Sequence, residues 1–403
     1  MKEKLKIKQL IFIGLLIILL IMLGINYFVR PFEGQFVALE EKPIQENLEP
    51  VVQTILTSKD TFDKLSAKQK IEQMIAFPLV VDGENDNSGD LSETFKVSSD
   101  SSELVRPGFI IIFGDEISTQ SAQQTIIGVN NLYKESLLFP KFAVDHEGGK
   151  VQRLSGDGYL KLPSWKDLCE IEDVTTLESS LRKSATELKA TGIDIVLAPV
   201  VDVGNNRVMQ DRICSDSYAV VAERSLEFIS VFDSFGILPV IKHFPGIGET
   251  SKDLHNEYDF VRVTENDVKL FNYIIGQSPN LGVLVSHAGV INQDLEIPCS
   301  LSKSCIGELK AAFPNVLVFS DALEMKSASF NSADITKPKD LIEVTKEAIL
   351  AGNEVLIYGK SVDAVQLDQI IDTMVINYNK DDDFRNQVDS AVLKIIDYKY
   401  KER

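Results

Sequence analysis

Basic residues are scarce in this sequence relative to acidic ones. The 403 residues include 41 lysines and arginines against 60 aspartates and glutamates, which gives a formal net charge of −19. Binding to nucleic acid requires a basic face that contacts phosphates, so this composition argues against a nucleic-acid partner. The sequence also shows no internal repeat, no low-complexity tract and no glycine-rich phosphate fingerprint after its first predicted strand.

Cysteine is rare as well. Cys169, Cys214, Cys299 and Cys305 show neither a Cys-x-x-Cys pair nor the spacing of a metal site. We expect buried free thiols. A small-loop disulfide between Cys299 and Cys305 is the alternative if the domain lies outside the cell.

The remaining composition is that of an ordinary globular protein, with 44% hydrophobic and 25% charged residues. Its length suits one (β/α)8 barrel with an appendage, or two medium-sized domains. The predicted segments are 1–30, a cytoplasmic tip and transmembrane signal anchor; 31–51, a linker; and 52–403, a single large domain.

The anchor is predicted from the apolar run Leu10–Val29, which follows lysines at positions 2, 4, 6 and 8. About 20 apolar residues cross a bilayer, and the lysines indicate a cytoplasmic amino terminus. The predicted localisation is therefore the cell membrane, as a single-pass protein with the large domain outside. A cleaved signal peptide is the alternative.

Eight apolar runs rich in β-branched residues follow, separated by amphipathic, helix-like stretches. The runs are QMIAFPLV, GFIIIF, PKFAVD, IDIVLAPVVDV, ILPVIKHF, LGVLVSHA, VLVFSD and NEVLIYG. Nearly continuous hydrophobicity is typical of parallel strands that are buried on both faces. Two helical stretches, ending at Gly192 and Gly352, stop at a glycine just before the next strand. The pattern predicts an α/β fold, a single TIM-type barrel after the transmembrane helix and linker; a doubly wound sheet is the alternative.

Polar residues follow these strands, where the catalytic groups of TIM barrels lie. They are Asp145, His146, Asp202, Lys242, His243, His287 and Asp321. All four histidines of the chain (146, 243, 255 and 287) fall at strand ends or in a nearby loop, which indicates one functional face. Lys242, Arg153 and Arg212 would repel a cation, so we predict no metal and no cofactor.

A polar pocket with separated carboxylates and several basic donors suits a sugar. Asp145 can accept hydrogen bonds from hydroxyls, while Arg153, Arg212 and Lys242 can donate them. Retaining glycoside hydrolysis needs a carboxylate nucleophile and a separate acid/base group. Asp321, which follows an apolar strand, suits the nucleophile, although a helix-capping role is equally open for a lone aspartate at a strand end.

Five segments, in order, resemble motifs of glycoside hydrolase family 3, in its branch of NagZ-like β-N-acetylglucosaminidases (β-hexosaminidases). AVDHEGGKVQRL resembles DQEGGRVQR, LAPVVDV resembles APVxDV, and QDRICS stands in the place of GxRSF. KHFPGIGETSKDLH resembles KHFPGHGDTxxDSH, and VFSDALEM resembles FSDDLxM. The resemblance covers roughly residues 52–400 and implies a TIM-barrel glycosidase.

The resemblance implies that Asp321 is the nucleophile and that Asp253 and His255 form the acid/base dyad. Histidine titrates near neutral pH and can both protonate a leaving oxygen and deprotonate water. The resemblance also implies a substrate-binding set, to which His287 is added from its strand-end position: Asp145, Arg153, Arg212, Lys242, His243 and His287.

Four departures from these motifs concern the rim of the pocket. Ile247 replaces the second histidine of KHFPGHG, Ala322 replaces the second aspartate of FSDDL, and His146 replaces the glutamine of DQEGG. QDRICS differs from GxRSF, so the assignment of Arg212 rests on spacing. The nucleophile and the dyad are retained, and we therefore expect activity.

The function expected from these features is exo-acting hydrolysis of terminal β-linked GlcNAc, from cell-wall (peptidoglycan) fragments. The expected partners are this carbohydrate and, through the amino-terminal helix, the membrane. Phosphorolysis is an alternative, because a histidine repels incoming phosphate less than a carboxylate does. A β-glucosidase is a second alternative, and a non-catalytic wall-binding protein is the alternative from another class.

Overall fold

The computed structural model describes residues 57–81, 91–98, 100, 102–204, 207–278, 280–290, 297–334 and 336–401. These residues belong to a compact unit that runs from Leu56 to Arg403. Its centre is a parallel eight-stranded sheet, formed by β1 (Ile75–Val80), β2 (Phe109–Phe113), β3 (Lys141–Val144), β4 (Ile195–Val196), β5 (Leu238–Phe244), β6 (Gly282–Val285), β7 (Leu317–Ser320) and β8 (Leu356–Ile357).

The sheet curls into a barrel with the order β7-β6-β5-β4-β3-β2-β1-β8. Ala76 of β1 pairs with Phe109 of β2 and with Ile357 of β8. The ends of the sheet meet where Phe319 of β7 forms a parallel bridge with Val355, directly before β8. The amide of Ser320 donates to the carbonyl of Val355 at 2.9 Å there. Each of the eight predicted apolar runs contains one barrel strand.

Helices connect the strands and cover the outside of the barrel. They are α1 (Ser58–Lys64), α2 (Ala67–Gln73), α3 (Ser92–Phe95), α4 (Thr119–Leu132), α5 (Trp165–Cys169), α6 (Val174–Thr191), α7 (Tyr218–Ser234), α8 (Glu265–Gln277), α9 (Lys303–Ala312), α10 (Leu341–Ala351), α11 (Ala364–Lys380) and α12 (Asp382–Lys401). Short 3-10 turns occupy Gln210–Arg212 and Cys299–Leu301. The core lies inside the barrel and between it and these helices; all seven residues of β5 are buried.

The predicted glycine stops are confirmed. Helix α6 ends at Gly192 with φ 102°, and α10 ends at Gly352 with φ 110°. Both values lie in the left-handed region, which glycine adopts without a Cβ penalty. The chain can therefore turn sharply from each helix into the following strand.

The membrane part of the predicted fold is wrong. In the part of the chain that the structure describes, no helix is both long and apolar enough to cross a membrane. The longest of these helices, α12, has 20 residues but carries charges along its whole length. The helix predicted over Leu10–Val29 and the linker at 31–51 lie outside the described residues. The single-pass localisation and the membrane partner depended on that helix, and they are corrected with it; the division at residues 30 and 51 stays a prediction.

The expectation of free thiols is also wrong. Cys169 bonds to Cys214, and Cys299 bonds to Cys305, with Cα–Cα distances of 5.5 and 5.4 Å. The second pair is the small-loop disulfide that was the alternative, since its cysteines have a sequence separation of only 6. The first joins cysteines with a sequence separation of 45, and cysteine spacing alone does not predict this pairing.

Candidate active site

The carboxyl ends of β3 to β7 bring together most of the predicted site residues. Asp145 follows β3 directly, Lys242 and His243 lie within β5, and Asp321 follows β7 directly. Val200, beyond β4, forms a parallel bridge with Lys242. This pairing continues the barrel past β4 and places Asp202 beside β5.

Lys242 lies between two carboxylates. Its Nζ is 3.0 Å from Oδ1 of Asp145 and 2.6 Å from Oε1 of Glu147. The lysine is only 3% exposed. Burial lowers the pKa of Lys242, but Glu147 and Asp145 more than offset this and raise it above its usual value. The lysine is therefore a fixed cation at the floor of the site.

Glu147, which sequence reasoning missed, binds a second cation. Arg212 donates from Nε to Oε2 at 2.8 Å and from Nη2 to Oε1 at 2.9 Å, a forked arrangement. Burial raises the pKa of Glu147, but Lys242 and Arg212 lower it to about 2. The available signal was its place in the segment AVDHEGGKVQRL, which contains the same glutamate as the motif it resembles.

His243 is oriented by Asp202. Nδ1 of His243 lies 2.7 Å from Oδ2 of Asp202, whose other oxygen accepts the backbone amide of Ile247 at 2.7 Å. A proton on Nδ1 bonds to the carboxylate and leaves Nε2 to face Nη2 of Arg212 at 3.4 Å. Ile247 contributes only its backbone amide, which does not depend on the side chain at this position. Its departure from the histidine of the motif therefore preserves this contact.

Arg153 completes the basic side of the site. A small hairpin pairs His146–Gly148 with Val151–Gln152 and returns the chain towards β3. Nη2 of Arg153 then lies 3.7 Å from Oδ2 of Asp145, while Nη1 lies 3.5 Å from the exposed Asp115. Gly148 makes the turn possible, because its φ is 91° and an added Cβ would lie 2.2 Å from the carbonyl of Pro163.

Asp321 is held by the peptide that follows it. Oδ1 of Asp321 accepts the amide of Ala322 at 2.8 Å, so the alanine in place of the motif's aspartate keeps this backbone contact. Burial raises the pKa of Asp321, but His287, His243 and the Ala322 amide lower it below its usual value. The carboxylate is therefore ionised near neutral pH, as a nucleophile must be.

His287 lies behind this peptide, without any exposed surface. Nε2 is 2.9 Å from the carbonyl of Ala322, and Nδ1 is 2.5 Å from the hydroxyl of Ser300. Because burial lowers the pKa of His287, the ring is neutral, donates from Nε2 and accepts at Nδ1. Both nitrogens are occupied. These contacts indicate that His287 positions the Asp321–Ala322 peptide, and its substrate-binding role stays a prediction.

The predicted dyad lies in a solvent-exposed loop. Nδ1 of His255 is 2.8 Å from Oδ1 of Asp253, and the side chains are 72% and 50% exposed. Burial raises the pKa of Asp253, but hydrogen bonds from the amide and ring of His255 lower it below its usual value. The amide of Lys326 donates to the carbonyl of His255 at 3.4 Å. This contact joins the loop to the segment that follows Asp321.

His146 does not share this site, so the inferred clustering of all four histidines is wrong for this one. Its Nε2 lies 2.6 Å from the hydroxyl of Ser184 on α6, and burial lowers its pKa to about 4. Within the described segments, no group of three histidine, cysteine, aspartate or glutamate side chains is arranged to hold a metal ion.

Comparison with known proteins agrees with this geometry. The family model described as the glycosyl hydrolase family 3 N-terminal domain matches residues 67–396. The chain belongs to glycosyl hydrolase family 3. It is therefore a glycoside hydrolase, and its substrate is a carbohydrate. The resemblance seen in the sequence is confirmed.

Relatives of this family 3 hydrolase include the β-hexosaminidase of Actinobacillus succinogenes, which is 29% identical over 288 residues. That match covers 68% of this chain and 79% of the relative. The β-N-acetylhexosaminidase of Beutenbergia cavernae superposes with a TM-score of 0.68 at 22% identity, over 83% of this chain and 99% of that one. A β-glucoside phosphorylase superposes with a TM-score of 0.67 at 18% identity, over 86% and 60%. The two solved structures show a shared fold.

Proposed function

We propose that this family 3 hydrolase is a retaining exo-β-N-acetylglucosaminidase that releases terminal β-linked GlcNAc. Asp321 is the nucleophile, and His255 with Asp253 is the acid/base pair. The observation that carries the proposal is the 2.8 Å contact between His255 and Asp253, on a loop bonded to the segment after Asp321. The name of the A. succinogenes relative, a β-hexosaminidase, supports the substrate class.

In the first step Asp321 attacks the anomeric carbon and the glycosidic bond breaks. Nδ1–H of His255 bonds to Asp253, so Nε2–H is the proton given to the departing oxygen. The lowered pKa of Asp253 keeps it ionised, which stabilises the cationic ring before this transfer. The product is a glycosyl ester of Asp321 and a free alcohol.

In the second step the neutral His255 takes a proton from water at Nε2. The water oxygen attacks the anomeric carbon, and the carboxylate of Asp321 leaves. Two displacements at one carbon restore the β configuration. The lowered pKa of Asp321 makes it a good leaving group in this step.

The glycone binds to the charged groups on the floor and wall of the site. Asp145 accepts hydrogen bonds from sugar hydroxyls while Lys242 and Arg153 hold its two oxygens, at 3.0 and 3.7 Å. Arg212 and His243 complete the set of donors and acceptors. Peptidoglycan fragments are the proposed source of the sugar, as implied by the resemblance described above.

The test uses the purified 403-residue chain and an aryl β-GlcNAc substrate. We expect hydrolysis by the native protein and a loss of at least about 1,000-fold in kcat for Asp321→Ala, since the covalent step is removed. Proton NMR of the first product should show the β anomer. Failure of the folded native protein to cleave this substrate, or release of the α anomer first, would contradict the proposal.

Replacement of His255 tests the dyad separately. For His255→Ala we expect kcat/KM to fall less than about tenfold on an activated aryl leaving group, which needs little protonation. On an alkyl or sugar leaving group the fall should be about 1,000-fold. Equal losses on both substrates would show that His255 is not the acid.

Phosphorolysis is a second candidate. The proposed acid/base group is the exposed His255, which repels an incoming phosphate less than a carboxylate in its place would. A β-glucoside phosphorylase also shares the fold. The same assay with and without inorganic phosphate separates the two reactions. Hydrolysis gives free GlcNAc under both conditions. A phosphorylase gives GlcNAc 1-phosphate when phosphate is added, and an aryl β-glucoside run in parallel tests the glucosidase alternative.

A further inference from the structure

Arg212 and Lys242 both form ion pairs with Glu147, but Lys242 lies within β5 and Arg212 lies on a loop. It ends the 3-10 turn Gln210–Arg212, between β4 and α7. The backbone bonds within this turn are local: the amide of Arg212 donates to Met209 at 3.0 Å, and that of Ile213 donates to Gln210 at 3.4 Å. Local bonds shape the turn, but they do not fix where the turn lies relative to the barrel.

Repulsion between Lys242 and Arg212 at Glu147 opposes the placement of this turn. Two cations bind one carboxylate, and the positive charge of Arg212 lowers the pKa of Lys242. Lys242 is fixed within a strand and its side chain is 4% exposed, whereas the side chain of Arg212 is 27% exposed. Of the two mutually repelling cations, Arg212 is the one that can move away into solvent.

A covalent bond lies two residues after Arg212. Cys214 is joined to Cys169, the last residue of α5, and both cysteines are buried. Helix α5 is in turn attached to the barrel: the indole of Trp165 is buried and donates to the carbonyl of Val200 at 2.8 Å. Val200 pairs with Lys242, so the disulfide connects the Arg212 turn to the strand that carries the other cation.

We propose that Cys214 and Cys169 are positioning residues, whose disulfide holds Arg212 over Glu147 in the geometry that binds the glycone. The inference rests on the proposed function, in which Arg212 is a glycone ligand. The disulfide is not part of the motif that the sequence resembles, because Cys214 stands in the segment QDRICS where that motif has phenylalanine.

The expected kinetic signature is a change in KM without a matching change in kcat. Opening the disulfide lets Arg212 occupy displaced positions, so only a fraction of free enzyme is ready to bind. Apparent affinity falls by that fraction, while the bound complex reacts as before. For Cys169→Ala with Cys214→Ala we expect KM for an aryl β-GlcNAc to rise about fivefold and kcat to stay within about twofold.

A double-mutant cycle separates positioning from general stability. Arg212→Ala should raise KM less in the disulfide-free background than in the native one, because Arg212 is already partly displaced there. Arg153→Ala is the matched control, since Arg153 contacts Asp145 and Asp115 rather than Glu147, which binds Arg212. Its effect on KM should be the same in both backgrounds. Equal effects of Arg212→Ala in the two backgrounds would overturn the proposal.

Hydrogen–deuterium exchange without substrate gives a readout that does not depend on catalysis. Opening the disulfide should speed exchange in peptides covering 207–214 and leave peptides from β5 unchanged. Unchanged exchange at 207–214 would overturn the proposal. If the native protein does not cleave the aryl substrate, the proposed function fails, and the exchange result still decides whether the disulfide holds the turn.

The variant must remain folded for these comparisons, which thermal unfolding checks. A second variant, Cys169→Val with Cys214→Ala, removes the bond but fills more of the space left by the sulfurs. We expect it to show the same rise in KM and the same exchange change with a smaller loss of stability. A KM that returns to the native value in this variant would assign the effect to packing and overturn the positioning role.

Discussion

At the scale of single residues, Glu147 is the centre of the site. It is 2% exposed, and its carboxylate oxygens lie 2.6 to 2.9 Å from side-chain nitrogens of Lys242 and Arg212. A buried carboxylate with two cations is stable only as a complete set, since loss of one member leaves buried charge without a partner. Its lowered pKa, about 2, keeps it ionised at any ordinary pH.

Glu147→Gln should therefore reduce activity, because Glu147 acts on the substrate indirectly by positioning Lys242 and Arg212. The amide has a similar shape but no charge, so Lys242 and Arg212 repel each other and Arg212 moves away. We expect kcat/KM on an aryl β-GlcNAc to fall about 100-fold, the equivalent of one charged hydrogen bond. Glu116→Gln, an exposed position, should stay within about twofold. A folded Glu147→Gln variant with native kcat/KM would contradict this role.

At the scale of elements, the hairpin after β3 turns alternate side chains to opposite sides. Asp145 and Glu147 bind Lys242, whereas His146 packs towards α6, 2.6 Å from Ser184. Complete burial lowers the pKa of His146 from 6.5 to about 4, so the folded protein keeps this ring neutral. Protonation of His146 in acid would therefore destabilise the packing of the hairpin against α6.

This shift predicts a loss of stability in acid. The unfolded chain binds a proton at His146 near pH 6.5, and the folded chain does so only near pH 4. Stability due to the neutral ring is complete above pH 6.5 and is lost as pH falls towards 4, by about 3 kcal/mol in total. His146→Gln, with the amide of the motif, cannot titrate. Urea unfolding at pH 7.5 and 4.5 should show a smaller loss for this variant; equal losses would contradict the assignment.

At the scale of the whole molecule, the barrel has the predicted site at one end and a purely structural set of contacts at the other. The predicted site residues lie at the carboxyl ends of the strands, while α12 crosses near the amino ends. Buried Lys399 of α12 donates to the side-chain oxygen of Gln73 and to the carbonyls of Gly108 and Phe139, at 2.8 to 3.0 Å. These residues precede β1, β2 and β3, so one ammonium group joins three consecutive strands.

Lys399→Met should therefore lower stability without a comparable effect on activity. It leaves buried acceptors without donors, which costs about 3 kcal/mol. Because the proposed active site is at the opposite end of the barrel, kcat/KM should stay within about twofold below the melting temperature. Lys401→Met, at an exposed position on the same helix, is the control and should unfold as the native protein does. Thermal unfolding and aryl β-GlcNAc hydrolysis measure the two effects.

The sequence determined the barrel and the positions of most site residues. Hydrophobic runs such as GFIIIF report burial on both faces, and polar residues that follow such runs must lie at one end of a parallel barrel. Asp145, Lys242, His243 and Asp321 could be placed in this way. The Asp253–His255 contact, between residues two apart, also follows from local chain geometry.

Tertiary structure alone decided which way the remaining side chains point and what they bind. A strand alternates its faces, but sequence does not say which face meets a helix, so the burial of the His146 and His287 rings could not be predicted. Pairing over a distance is equally open: nothing local selects Cys214 for Cys169, or Glu147 for Arg212. Such contacts depend on how separate loops converge over the barrel, which is a property of the folded chain and not of any one segment.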